Sequence, residues 1–352
     1  MSNEAAPDTS TANTGSSTKW IALAAMMFAV SMMFIDQTIV SIAIPTIQTE
    51  LGLSDAGVQW VINGYLLSLS AFFALGGRLS DILGHKKMVL LGVTIFAVSS
   101  ALCGATPATS AAEAWLIIFR IVQGIGAALL FPAALAIVVS VFPLKERGKA
   151  LALFFGITGG LTAIGPILGG YLSEWTWRAI FWVNVPVAII AIILTLIAKI
   201  HTKHKKEPLD YKGAVLIALG MGFSVLGLQQ ASSWGWGSWK TIGSIVLGLA
   251  LLVIFVKVET KVKIPLIKVE IFKDRAFFVD NAVLFFAMMA FVPVFFFGSV
   301  YSQAVLDYNA SNAGLYLLVF FAGFAPAVQV GGRILDNRGA RGPVIVGCAV
   351  GA

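Results

Sequence analysis

Uninterrupted apolar runs of bilayer length recur along this sequence, and they limit its fold more than any other feature. They occupy 20–46, 57–77, 88–106, 114–141, 149–172, 179–199, 213–231, 241–258, 277–300 and 313–332. A hydrocarbon layer about 30 Å thick takes about 20 helical residues to cross. Within it the backbone N–H and C=O groups find no water, so only helices and closed barrels can satisfy them. Barrel strands would alternate apolar and polar residues over about ten positions, whereas these runs are continuous. The sequence therefore predicts an all-α polytopic membrane protein. Composition agrees, with 58% hydrophobic and 12% charged residues against about 25% charged in soluble domains.

Charge placement orients the spans. With the N-terminus in the cytoplasm, all of the 24 Lys and Arg residues except Arg120, Arg178 and Lys240 fall in cytoplasmic segments. That is the bias of positive-inside topology. The same clustering in short inter-helix segments argues against nucleic acid as the partner of the net +7 charge. Residues 1–19 are small and polar and read as a disordered cytoplasmic tail. They lack the basic start of a signal peptide. Cys103 and Cys348 both lie in apolar runs and form no disulfide framework or metal-ligand spacing.

A second constraint is a repeat. Residues 76–87, GGRLSDILGHKK, follow the second run, and 331–341, GGRILDNRGAR, follow the tenth. Gly76, Gly77, Arg78, Asp81 and Gly84 align without gaps on Gly331, Gly332, Arg333, Asp336 and Gly339. The copies are eight helices apart, and an even number keeps them in one orientation, as a parallel repeat requires. A six-helix repeat needs only six, so two helices, 213–231 and 241–258, read as inserted. The expected organisation is a six-helix bundle over 20–200, two inserted helices with cytoplasmic loops over 201–275, and the start of a second bundle over 276–352. Residues 342–352 begin a further run of about 16 Å, half a bilayer, so the second half is expected to be incomplete and the chain truncated.

Several stretches, in order, resemble the major facilitator superfamily, and within it the fourteen-helix drug:proton antiporter branch. GGRLSDILGHKK is similar to the loop motif G-x-L-x-D-R-x-G-R-K-x, with Ile82 at a position usually basic. FIDQTIVSIAIP (34–45) resembles the branch's first-helix motif, with Ser41 where asparagine is common. RIVQGIGAA (120–128) resembles the fourth-helix motif R-x-x-Q-G. GPILGG (165–170) resembles the helix-5 antiporter motif, although Leu161 takes the place of its leading glycine. WRAIFWVNVP (177–186) resembles the connection into helix 6. The resemblance implies parallel six-helix halves with two inserted linker helices. It also implies secondary export of amphipathic drugs or toxic small molecules, driven by a proton gradient without a cofactor, from a monomer in the bacterial inner membrane.

Asp36 and Arg120 are the deeply placed charges, and an intramembrane charge is costly enough to suggest function. Asp36 lies about 24 Å from the inner end of helix 1 and Arg120 about 9 Å from the outer end of helix 4. These depths nearly coincide, so the two are expected to meet, either as the proton-coupling pair or simply as a tie between helices 1 and 4. Glu113, at the outer rim of helix 4, is a weaker candidate for the same role or is simply solvated.

The resemblance implies that Gly77, Arg78, Asp81, Gly84, Lys86 and Lys87 form an inner-gate latch between the halves; the alternative is a topology signal alone, with Lys86 and Lys87 holding the loop in the cytoplasm. Gly332, Arg333, Asp336, Gly339 and Arg341 are its second copy. The glycines suggest a sharp turn, and Asp81 stands where it could meet a helix N-terminus or a cation such as Arg147. Gly165, Pro166, Gly169 and Gly170, with Gly156 and Gly160, read either as tight packing or, by resemblance, as a flexible seal against the other half. Gln37, Thr38, Asn63, Tyr65 and Gln123 are the polar candidates for a mostly apolar cavity.

No H-E-x-x-H, P-loop or G-x-S-x-G stands in a suitable context, which disfavours an enzyme and ATP-driven transport. Two rival expectations are an exporter of one metabolite, such as an amino acid, siderophore or antibiotic, and a truncated remnant that does not transport.

Overall fold

A computed structural model describes residues 16–308 except 163, 199 and 201–207, then part of 312–339, and 341–351. Seven described helices are long and apolar enough to span a membrane, and a bent pair brings the number to eight. These are α1 (Ser16–Leu51), α2 (Asp55–Leu83), α3 (His85–Gly104), α4 (Ala112–Val141), the pair α5 (Arg147–Thr162) and α6 (Ile164–Trp175), the span made by α7 (Ala179–Trp182) and α8 (Asn184–Ile197), α9 (Tyr211–Trp234) and α10 (Trp239–Glu259). Helix α11 (Arg275–Ala304) follows, and a last helix covers Arg341–Gly351. Half of the tenth expected span, 313–332, falls outside the described residues. Residues 16–19, expected in the tail, form the first turn of α1, and 1–15 lie outside the described residues.

Side-chain caps start several helices. Ser54 accepts the Gly57 N–H ahead of α2, Asp210 accepts from Lys212 and Gly213 ahead of α9, and Ser238 accepts from Lys240 ahead of α10. Each satisfies an orphan N–H of a first turn.

Helices α1–α8 form one bundle, with α4 at its centre against α1, α2 and α3, and with α8 against α1 and α3. Its core is aliphatic and aromatic, including Met26, Val30, Val93, Phe96, Leu130, Ile137 and Phe154. Close approach needs small residues at the crossings. A methyl group at Gly76 would collide with the Ala128 carbonyl of α4, and one at Gly124 with Ser68 of α2. The pair α9–α10, expected as an insertion, leans on the outside of α2, where Ala214, Ile217, Phe255 and Leu266 pack with Ala74 and Leu75.

The fifth span differs from its expectation. The run 149–172 is not one straight helix but bends by 43° between Thr162 and Ile167. Proline carries no N–H, so Pro166 leaves the Thr162 carbonyl without its helical donor. The Thr38 hydroxyl of α1 lies 3.0 Å from that carbonyl and 3.1 Å from the Ile35 carbonyl of its own helix. The bend is thus pinned to α1.

Candidate functional site

At mid-height of the bundle, α1, α2, α3, α4 and α8 bring polar groups into an apolar interior. Asp36 is 0% exposed and Arg120 is 2% exposed. Arg120 Nη1 donates to Asp36 Oδ2 at 2.5 Å and to Gln123 Oε1 at 2.7 Å, and Nε donates to the Val61 carbonyl of α2 at 3.0 Å. Gln123 Nε2 donates to Asp36 Oδ1 at 2.9 Å, and Asn184 Nδ2 donates to the same oxygen at 3.1 Å. Asn184 also donates to Ser100 Oγ at 2.9 Å, and Ser100 donates to the Phe181 carbonyl at 2.8 Å. The Tyr65 ring lies under the guanidinium, 4.6 Å from Cζ, in the geometry of a cation–π contact.

The chemistry explains how such charges survive burial. A buried charge is tolerated when it is paired and its remaining hydrogen-bonding capacity is filled. Here the carboxylate receives three N–H donors, and the guanidinium has a carboxylate, an amide oxygen, a backbone carbonyl and an aromatic face.

The expected meeting of Asp36 and Arg120 is seen directly. Other expected site residues divide. Tyr65 and Gln123, expected to line a cavity, are fully buried members of the charge cluster in this conformation. Thr38 engages the Thr162 carbonyl. Gln37, beside the Tyr65 hydroxyl, and Asn63 are half-buried. Glu113 is not merely solvated: its Oε2 accepts the Ser54 N–H at 2.9 Å, which places a carboxylate over the N-terminus of α2.

The loop motif also differs from its expectation. Gly77, Arg78 and Asp81 are helical residues of α2, and only Gly84 leaves helical geometry before His85 begins α3, with Lys86 and Lys87 in its first turn. Gly84 has φ +97°, a value glycine adopts freely and other residues rarely do. Its N–H donates to the Ser80 carbonyl at 3.0 Å, and the Ser80 hydroxyl bonds His85 Nδ1 across the turn. Asp81 is exposed and makes no ion pair with Arg147, whose Nε donates to the Phe142 carbonyl at 3.2 Å instead.

The second copy repeats this geometry where it is described. Gly332 and Arg333 are helical, Gly339 has φ +80°, and Arg341 opens the last helix; Asp336 lies outside the described residues. A methyl group at Gly332 would sit 3.2 Å from Ala152 Cβ and 3.3 Å from the Gly148 carbonyl, both on α5. Gly165 and Gly169 seat on α1, against Thr38 and Ile39, whereas a methyl group at Gly156 or Gly160 would meet nothing within 4 Å among the described residues. Gly170 is half-buried beside them, and Pro166 supplies the bend described above.

Sequence reasoning passed over Asn184 and Ser100. The signal available was Asn184 within WRAIFWVNVP, a polar residue at the start of an apolar run.

Comparison with known proteins bears on this arrangement. The family model described as Major Facilitator Superfamily matches residues 26–352. The chain belongs to the major facilitator superfamily. A relative within the superfamily, the tetracenomycin C resistance and export protein of Streptomyces glaucescens, is 33% identical over 93% of this chain and 61% of its own length. The puromycin resistance protein pur8 of Streptomyces alboniger is 33% identical over 95% of this chain and 66% of its own. The MFS-type transporter EfpA of Mycobacterium tuberculosis is 35% identical over 90% and 59%. The chain thus spans about three fifths of the length of these relatives. Among solved structures, the proton:xylose symporter XylE aligns with TM-score 0.61 at 13% identity over 92% of this chain and 70% of its own, which supports the major facilitator fold. The named relatives are transporters and resistance proteins, and none is an enzyme.

Proposed function

We propose that this chain acts in secondary active export, moving amphipathic drugs or toxic small molecules out of the cytoplasm in exchange for protons by alternating access. The observation that carries the reading is the buried Asp36–Arg120 pair between α1 and α4. Burial opposes ionisation of a carboxyl group and a neighbouring guanidinium favours it. A shift of Arg120, or water entering the cluster, changes the balance between these effects. In this reading Asp36 carries the proton and Arg120 sets when it is released. The loop motif and its second copy act as the inner gate, consistent with the contact of Gly332 on α5. Gly165 and Gly169 give α6 its seat on α1. Gln37 and Asn63 remain the candidates for substrate contact. The proposed setting is the bacterial inner membrane, with the N-terminus in the cytoplasm, lipid around the helices and one chain as the working unit.

A second reading, export of one antibiotic, is favoured by relatives named for tetracenomycin C and for puromycin. Everted vesicles carrying the protein test both. Addition of substrate should release protons, and Asp36→Asn should abolish that release while leaving substrate binding within a few-fold. Proton release unchanged in Asp36→Asn removes Asp36 from the coupling role. Competition among chemically unlike drugs supports the broad reading, and a single accepted compound supports the narrow one. Vesicles in which the protein moves no compound at all favour a non-transporting role.

A further inference from the structure

The two amides that hold Asp36 are not equivalent, and the difference shows where a proton can be accommodated. The guanidinium of Arg120 has donors and no acceptor, so a proton arriving while the pair is intact cannot settle on Oδ2. Oδ1 already faces two donors, Gln123 Nε2 at 2.9 Å and Asn184 Nδ2 at 3.1 Å. A new O–H there needs an acceptor, and one amide must turn over to offer its oxygen. Gln123 is locked, because its Oε1 accepts from Arg120 Nη1 at 2.7 Å and a turn would set donor against donor. Asn184 is not locked. Its second contact is a hydroxyl, Ser100 Oγ at 2.9 Å, and a hydroxyl both donates and accepts. When Asn184 presents Oδ1, Ser100 can swing its proton from the Phe181 carbonyl onto it.

We propose that Asn184 is a positioning residue that turns its amide when Asp36 takes up a proton, accepting the new O–H at Oδ1 with Ser100 as the exchanging partner. The step adds one proton to Asp36 Oδ1 and breaks no covalent bond. Gln123 continues to donate to the same oxygen through its remaining lone pair, so the Arg120 contacts survive this first step. The titratable and charged groups that act on Asp36 are Arg120 on α4, Tyr65 on α2 and Cys103 on α3. Among the described residues neither Tyr65 nor Cys103 hydrogen-bonds to it. This inference rests on the reading of Asp36 as the proton carrier.

Infrared difference spectra between acidic and neutral pH, taken on the purified protein in lipid nanodiscs, test both separately. A carboxylic-acid C=O band lost in Asp36→Asn reports the proton on Asp36. Labelling asparagine side-chain carbonyls with carbon-13 should then move a second band, which disappears in Asp36→Asn and in Asn184→Leu. Ser100→Ala, which deprives the turned amide of one donor, should shift that band to higher frequency. If Asn184→Leu fails to fold, the Ser100→Ala shift assigns the band, because Ser100 bonds Asn184 and no other asparagine among the described residues. An Asp36 band with no accompanying asparagine band overturns the turning of Asn184 and leaves the proton carrier standing. Absence of the Asp36 band overturns both.

Discussion

Removing either member of the Asp36–Arg120 pair leaves the other charge buried among apolar helices. Removing one partner of a buried pair costs about 3–5 kcal/mol, mostly the penalty of the orphaned charge. Asp36→Asn and Arg120→Gln are each expected to destabilise the bundle, and the double variant is expected to lose less than the sum. A double-mutant cycle in mixed-micelle unfolding should return a coupling of about 2 kcal/mol or more; additive effects would mean the contact contributes little. The pair was legible in sequence because two rare charges on helices of fixed rise have calculable depths. Ser100 was not legible, and Asn184 showed only as a polar residue at the start of an apolar run, since a neutral polar residue in a membrane helix carries too small a penalty to stand out. Only the carboxylate oxygen they serve gives them meaning. Tyr65 and Gln123 illustrate a related limit: the same side chain suits a wet cavity wall or a sealed polar cluster, and composition does not distinguish them.

Among the helices, glycine served two purposes that the sequence showed as one. The GGR motif suggested a turn, yet α2 continues through Gly76 and Gly77 and reverses only at Gly84. Helix-forming neighbours carry the chain past the glycines, and packing explains them. At Gly76 an added methyl group meets the Ala128 backbone carbonyl, which cannot move aside, whereas at Gly77 it would lie 3.7 Å from Pro132 Cβ, an ordinary contact. Gly76→Ala should therefore sharply lower the yield of folded protein, and Gly77→Ala should leave it nearly unchanged, as judged by monodisperse elution in detergent. Equal losses would show that the pair acts through the turn. The bend between α5 and α6 was half legible: Pro166 and the glycines marked a weak place, but the Thr38 hydroxyl that answers the freed Thr162 carbonyl comes from 124 positions away in the chain.

For the molecule as a whole, the repeat is the strongest link between sequence and fold. The glycines that close the two motifs, Gly84 and Gly339, both adopt positive φ between helices, at +97° and +80°. Two places 255 positions apart in the sequence solve the same backbone problem in the same way, as expected of a repeated half. The copies differ in what surrounds them. Gly76 is clasped by α4, while its counterpart Gly331 meets no atom within 4 Å among the described residues. The helices α9 and α10 lie outside the bundle against α2, which fits the expectation of a pair added beside a six-helix half. Parity and charge together make a sharp prediction about orientation. In a background with Cys103→Ala and Cys348→Ser, single cysteines at Lys145 and Lys261 should react with a membrane-impermeant maleimide only in everted vesicles. Cysteines at Ser110 and Gly237 should react only from the outside of intact cells. If Lys145 and Ser110 label from the same side, the helix count between them is wrong. If the two pairs are exchanged, the basic segments face outward, and with them both copies of the GGR motif. The inner-gate role would then fall, because a latch at the outer face cannot close the cytoplasmic opening.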